Sequence, residues 1–193
     1  MKKNNLSIIT QSQVTPWPIQ AAPIPPQITL NGTALVPKTP PISPVGFQLL
    51  FLAKSTATVL SNQYYSLDPT NWSWYDAYLT LYQTMLNDLN NSEFLKAGNV
   101  FVMASFGIGV NLTPPSAFYE FLKLNGGGAG LDYWVKTADP GSEMDNHNFW
   151  MEYPAYYVLV GNVGDADVNV ETFDFKFTSD LAVTLKSTLY YAF

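Results

Sequence analysis

Apolar positions run along this chain in two rhythms. Three short stretches are apolar almost without interruption: Gly46-Phe47-Gln48-Leu49-Leu50-Phe51-Leu52-Ala53, Asn99 to Phe106, and Tyr156 to Val160. Runs of this length, closed by glycine or a turn, predict strands buried on both faces. Val59 to Ser66 follows the first run after a brief connection and predicts its hairpin partner. Tyr75, Tyr78, Leu79, Tyr82, Met85, Leu86 and Leu89 recur every three or four residues behind Ser73-x-x-Asp76, which predicts an amphipathic helix with a core-facing aromatic stripe. Thr113-Pro114-Pro115 predicts a second helix, capped by Thr113, with Phe118, Phe121 and Leu122 inward and Asn125-Gly126 as its stop. Gly126 to Gly130 predicts a flexible connection, since neither a Gly-Lys-Ser/Thr sequence nor a preceding strand makes it a phosphate loop. Val168 to Phe177 and Leu181 to Phe193 alternate like strands of an outer sheet.

The first 45 residues differ in kind. Nine of the 14 prolines fall there, which forbids helix and favours extended backbone. The segment also carries Trp17, Ile19, Ile24, Ile28 and Leu30, more apolar surface than a disordered tail holds. It predicts an extended arm, residues 1–45, that packs on neighbouring subunits, with an arm folded back on its own domain as the alternative. Residues 46–193 then form one globular domain, an α/β (α+β) sandwich of mixed sheets and two main helices.

Composition narrows the chemistry. The chain has 193 residues, 47% hydrophobic and 12% charged, with no Cys, one His and a net charge of −6. Absence of Cys excludes disulfides, thiolate metal sites and a cysteine nucleophile. The nine cations are all Lys, and an acidic chain of this kind argues against nucleic acid as partner. No apolar run approaches the 18 residues of a spanning helix. After Met1-Lys2-Lys3, the apolar stretch at Leu6 to Ile9 is shorter than the h-region of a Sec signal. Glu143, Asp145, Asn146, His147 and Asn148, flanked by Trp134 and Trp150, could hold a sugar or a cation, although calcium-loop spacing is lacking. Trp134, Asp145, Asn146, His147 and Trp150 are therefore the candidate ligand-binding residues, with a solvated loop as the alternative. No nucleophile, base and oxyanion donor stand together, so no catalytic residue, metal or cofactor is expected.

The order of motifs from 46 to 164 resembles the interleukin-like EMT inducer (ILEI/PANDER) domain. The matching stretches are Gly46 to Phe51, Val59 to Ser66, Leu79 to Leu89, Val100-Phe101-Val102-Met103-Ala104-Ser105, Ala117 to Leu124, and Tyr157-Val158-Leu159-Val160-Gly161-Asn162-Val163-Gly164. The resemblance implies a compact α/β sandwich that binds rather than catalyses, in secreted, sugar-recognising, phage or bacterial surface proteins. Animal members carry paired cysteines and lectin-like ones sugar-binding arginines; this chain has neither, so no family binding residue transfers. Together these readings predict a non-enzymatic structural subunit of a virion or tail-type particle, held by its arm to other subunits and outside the Sec pathway, or else cytoplasmic. The alternative is a soluble carbohydrate-binding module that takes a surface glycan.

Overall fold

The computed structural model describes residues 3–13, 22–68, 70, 74–90, 93–138, 153–167, 170–176 and 184–193. In chain order the elements are β1 (Asn5–Gln13), β2 (Gln27–Leu30), β3 (Thr33–Ala34), β4 (Gly46–Ala53), β5 (Thr58–Ser66), α1 (Trp74–Asn90), β6 (Val100–Phe106), α2 (Ser116–Leu124), α3 (Ala129–Thr137), β7 (Ala155–Asn162), β8 (Val170–Phe175) and β9 (Thr184–Ala192).

These elements stack in three layers. The middle layer is a five-stranded sheet of order β5-β4-β6-β7-β8, and every neighbouring pair is antiparallel. Side chains alternate across a strand, so each strand serves two cores. Phe47, Leu49, Phe51, Phe101, Met103, Tyr157 and Leu159 meet the helices through Tyr82, Met85, Phe118, Leu122 and Trp134. Leu50, Leu52, Val100, Val102, Ala104, Val158 and Val160 meet Leu6, Ile8, Ile28 and Leu189 of a second sheet, β3-β2-β1-β9. Burial on both faces is why β4, β6 and β7 read as continuous apolar runs. The α+β sandwich is thus as expected, but among the described residues its sheets are antiparallel rather than mixed and the helices number three. The last two strands also part company: β8 closes the middle sheet, while β9 pairs with β1.

The arm requires the largest correction. Residues 5–13 pair with β9 over nine positions, from Asn5↔Ala192 to Gln13↔Thr184, and Leu6 to Ile9 pair with β2. Ile28, expected to grip a neighbour, is 2% exposed in the chain's own second core, and Leu30 packs beside it. Of the five apolar residues expected to grip a neighbour, Ile24 is exposed, while Trp17 and Ile19 lie outside the described residues. The physical reason is an alternation half hidden in polar residues. Leu6, Ile8, Thr10 and Ser12 are all buried; the Thr10 hydroxyl donates to the Ser105 carbonyl and the Ser12 hydroxyl to that of Ile108 at 2.6 Å. Satisfied hydroxyls are tolerated inside. Residues 5–13 and 27–34 are therefore a structural layer of the domain.

Local signals hold at the helix ends with one change. Helix α2 starts behind Pro115 with no side-chain cap, so Thr113 does not cap it. Its end is tied down by Asn125, whose Nδ2 donates to Phe121 O at 2.7 Å and whose Oδ1 accepts from Gly164 N at 2.9 Å. Gly161 of β7 lies directly beneath this turn, and a Cβ there would collide with the Asn125 carbonyl oxygen. Gly161→Ala is accordingly expected to cost about 3 kcal/mol, as overpacking against backbone does, measured by urea unfolding.

Candidate functional site

The sequence singled out Trp134 as half of an aromatic platform; it is instead fully buried. It lies on the inner face of α3 with Leu131, its ring stacked 5.6 Å from Phe173 and tilted against Tyr157 at 5.1 Å. Its Nε1 donates to Val110 O at 2.7 Å, so even the polar handle is used internally. Trp134 is core and is withdrawn as a ligand-binding residue. Asp145, Asn146, His147 and Trp150 lie outside the described residues, as do Glu143 and Asn148.

The glycines before α3 form a fixed turn, contrary to the flexible connection expected. The Glu171 carboxylate of β8 accepts from the backbone N–H groups of Gly128 (3.1 Å), Gly130 (2.8 Å) and Leu131 (2.9 Å), and from the Tyr157 hydroxyl (2.8 Å). A carboxylate at a helix N-terminus satisfies donors that have no partner within the helix. Burial first, then the Glu171 charge, pushes the Tyr157 phenol well above its usual range, which keeps its proton in place as a donor. This anion site is filled by the chain's own side chain and fastens β8 to α3.

The free surface lies at the opposite edge of the middle sheet. Among the described residues, strand β5 has β4 as its one sheet neighbour. The stretch Leu35 to Val45, which carries Pro37, Pro40, Pro41 and Pro44, runs beside it with bends at 38–39 and 42–45. Three main-chain and side-chain bonds pin that stretch: Leu35 N to Ile28 O (2.8 Å), Asn62 Nδ2 to Leu35 O (3.2 Å) and Leu67 N to Val45 O (2.9 Å). Asn62 is held in turn by Gln48 Nε2 at 2.7 Å. Two adjoining grooves result. One, of about 820 Å³, runs between residues 34–39 and Val59 to Tyr64 and includes Lys38. The other, of about 330 Å³, lies between the proline stretch, Tyr64 to Asp68, and Ala77, Leu81 and Thr84 of α1. Thr39 and Tyr64 belong to both.

Large apolar side chains left in water gather here. Val36 is 79% exposed, Ile42 69% and Val59 40%, three of the seven large hydrophobics exposed among the described residues. Tyr64 packs edge-on against Phe106 at 5.9 Å, and burial raises its phenol above the usual range. The Tyr65 phenol is raised by burial and then by Asp88 of α1. Asp68 is held below the usual carboxylate range by the hydroxyl and N–H of Thr70, so it carries its charge at neutral pH. Such a surface offers contact area and unpaired main-chain groups, the means of binding another chain.

Among the described residues, no group of three or more His, Asp or Glu is placed to hold a metal ion, and no helix is long and apolar enough to cross a membrane. Comparison with protein-family models and with curated proteins gives no match. The β5 surface could be suspected from the sequence only through Val36 and Ile42 standing between prolines, since each looked like part of an arm.

Proposed function

We propose that this chain is a non-enzymatic structural subunit that associates with other copies in a larger particle, of the virion or tail type, through the face built by residues 34–42 and β5. The observation that carries the reading is the cluster of Val36, Ile42 and Val59 on two adjoining grooves along one sheet edge. An exposed apolar cluster on a low-charge chain marks a surface that is covered in the working state. The order β4, β5, α1, β6, α2, β7 is the order of the motifs on which the ILEI-like reading of residues 46–164 rests, with α3 between the last two of them. The carbohydrate-binding alternative loses Trp134 as a platform, because a fully buried indole has no face for a sugar.

Light scattering on the purified chain tests the reading. The native chain should weigh more than its 21.4 kDa monomer as concentration rises. The double variant Val36→Asp, Ile42→Asp should stay at monomer mass with an unchanged melting temperature, because both side chains are solvent-exposed in the folded monomer. A native chain that is monomeric at every concentration would remove the reading.

A further inference from the structure

One covalent connection, residues 35–45, joins β1, β2 and β3 to everything that follows them. What else holds that layer in place is non-covalent: the nine-position ladder between β1 and β9, the burial of Leu6, Ile8 and Ile28 against the middle sheet, and the bonds of Thr10 and Ser12 to the carbonyls of Ser105 and Ile108. All of these contacts reach residues beyond the connection. They are equally complete if the layer of one copy occupies the place of the same layer in another. The connection itself is loosely tied. Asn62 Nδ2 donates to Leu35 O at one end and Leu67 N to Val45 O at the other. Among the described residues, no main-chain group from Val36 to Pro44 bonds to the rest of the fold. Seven of its eleven residues are prolines or precede one, which favours extended backbone. The single chain nevertheless bends at 38–39 and again at 42–45 to lay the layer on its own body. Straightened, the connection spans up to about 36 Å, enough to carry the layer to a neighbour. The bent form also leaves groups unanswered. Val36 and Ile42, both on the connection, stand in water, and Ser66, in the groove beside Thr39 to Ile42, keeps its Oγ buried with no partner.

We infer that two copies of the chain exchange this layer, residues 5–34 of each filling the place of the same residues in the other, while the two connections run past each other about a two-fold axis. The inference rests on the association reading above and names how association is made. In the exchanged pair β1 of one copy pairs with β9 of its partner, so both cores keep their composition. A new fit has to be found only where the connections meet. There Val36 and Ile42 of the two copies cover one another, which accounts for large apolar side chains on a stretch that the single chain leaves in water. The straightened backbone is the one that its prolines favour. An apolar, proline-rich segment thus packs on its own domain in the single chain and on a neighbour in the pair, by the same contacts.

The chain has no cysteine, so two introduced thiols report one contact. Ser7 and Tyr190 stand opposite each other on β1 and β9, and neither is buried. In the double variant Ser7→Cys, Tyr190→Cys the thiols are as close as a disulfide needs. The protein is kept reduced until association is complete and is then oxidised. Exchange predicts covalent dimers on a non-reducing denaturing gel, because each bond joins two chains. Association without exchange predicts bonds within one chain and a band at monomer mass. Tyr190→Cys alone should stay at monomer mass. A flexible insertion of about six Gly and Ser residues after Thr39, where no main-chain bond is lost, lets the layer close on its own body with less bending. It should weaken association by about tenfold or more in sedimentation. The inference is overturned if the associated double variant oxidises to monomer bands only, or if the insertion leaves association unchanged. With light scattering still showing association, either outcome removes the exchange and leaves the association reading standing. A native chain that is monomeric at every concentration removes both.

Discussion

Replacing Trp134 with alanine is expected to lower stability by about 4 kcal/mol, the cost of emptying a large aromatic site in a packed core. The side chain is fully buried between Phe173 and Tyr157, and its removal also leaves Val110 O without its 2.7 Å partner. For a chain of this size the melting temperature should fall by about 10 °C. Trp134→Phe, which keeps most of the ring area and loses the N–H, should cost about half as much. Thermal and urea melts of the two variants check both figures. A platform for sugar would behave in the opposite way, losing ligand with stability intact.

Glu171→Ala should be nearly as damaging although its side chain is a surface type by nature. Its carboxylate answers four donors: three backbone N–H groups at the start of α3 and the Tyr157 hydroxyl. Charge-assisted bonds of this kind are stronger than neutral ones, and donors left half-buried without an acceptor are costly. The expected loss is about 3 kcal/mol, with amide exchange of Gly130 and Leu131 accelerating before the rest of the domain. Glu171→Gln retains one acceptor oxygen but turns an amide N–H₂ toward other donors, so it should recover less than half of that loss. Equal stability of the wild type and Glu171→Ala would mean that α3 is held by Leu131 and Trp134 alone.

What could be read from the sequence follows from how burial was encoded. Strands β4, β6 and β7 are enclosed on both faces, and nothing polar but Gln48, Ser105 and Asn162 interrupts them, so their runs are plain. Helix α1 was equally plain because one face is apolar at helical spacing. Strand β1 was missed because half of its inward positions are Thr10 and Ser12, whose hydroxyls are satisfied by carbonyls of residues 105 and 108, far along the chain. Prolines on either side completed the disguise, for they confine β1 and β2 rather than exclude them. Helix α3 was missed for a similar reason: it opens on glycines, poor helix formers, and is secured by Glu171 some forty residues later. Trp134 was placed on the surface because the element that buries it had not been seen. At the β5 face, Val36 and Ile42 fell inside the segment read as an arm, and only the folded chain shows that they border the grooves beside β5.

Hydrogen–deuterium exchange followed by mass spectrometry, at a dilution that gives monomer and at a concentration that gives the associated form, separates the two faces of the molecule. Residues 5–13 should exchange slowly in both states, because all of them pair with β9 and Leu6 to Ile9 also with β2, and residues 34–42 and 58–66 should gain protection only on association. Rapid exchange of 5–13 in the monomer, slowed on association while 58–66 is unaffected, would contradict it and restore the amino-terminal segment as an arm.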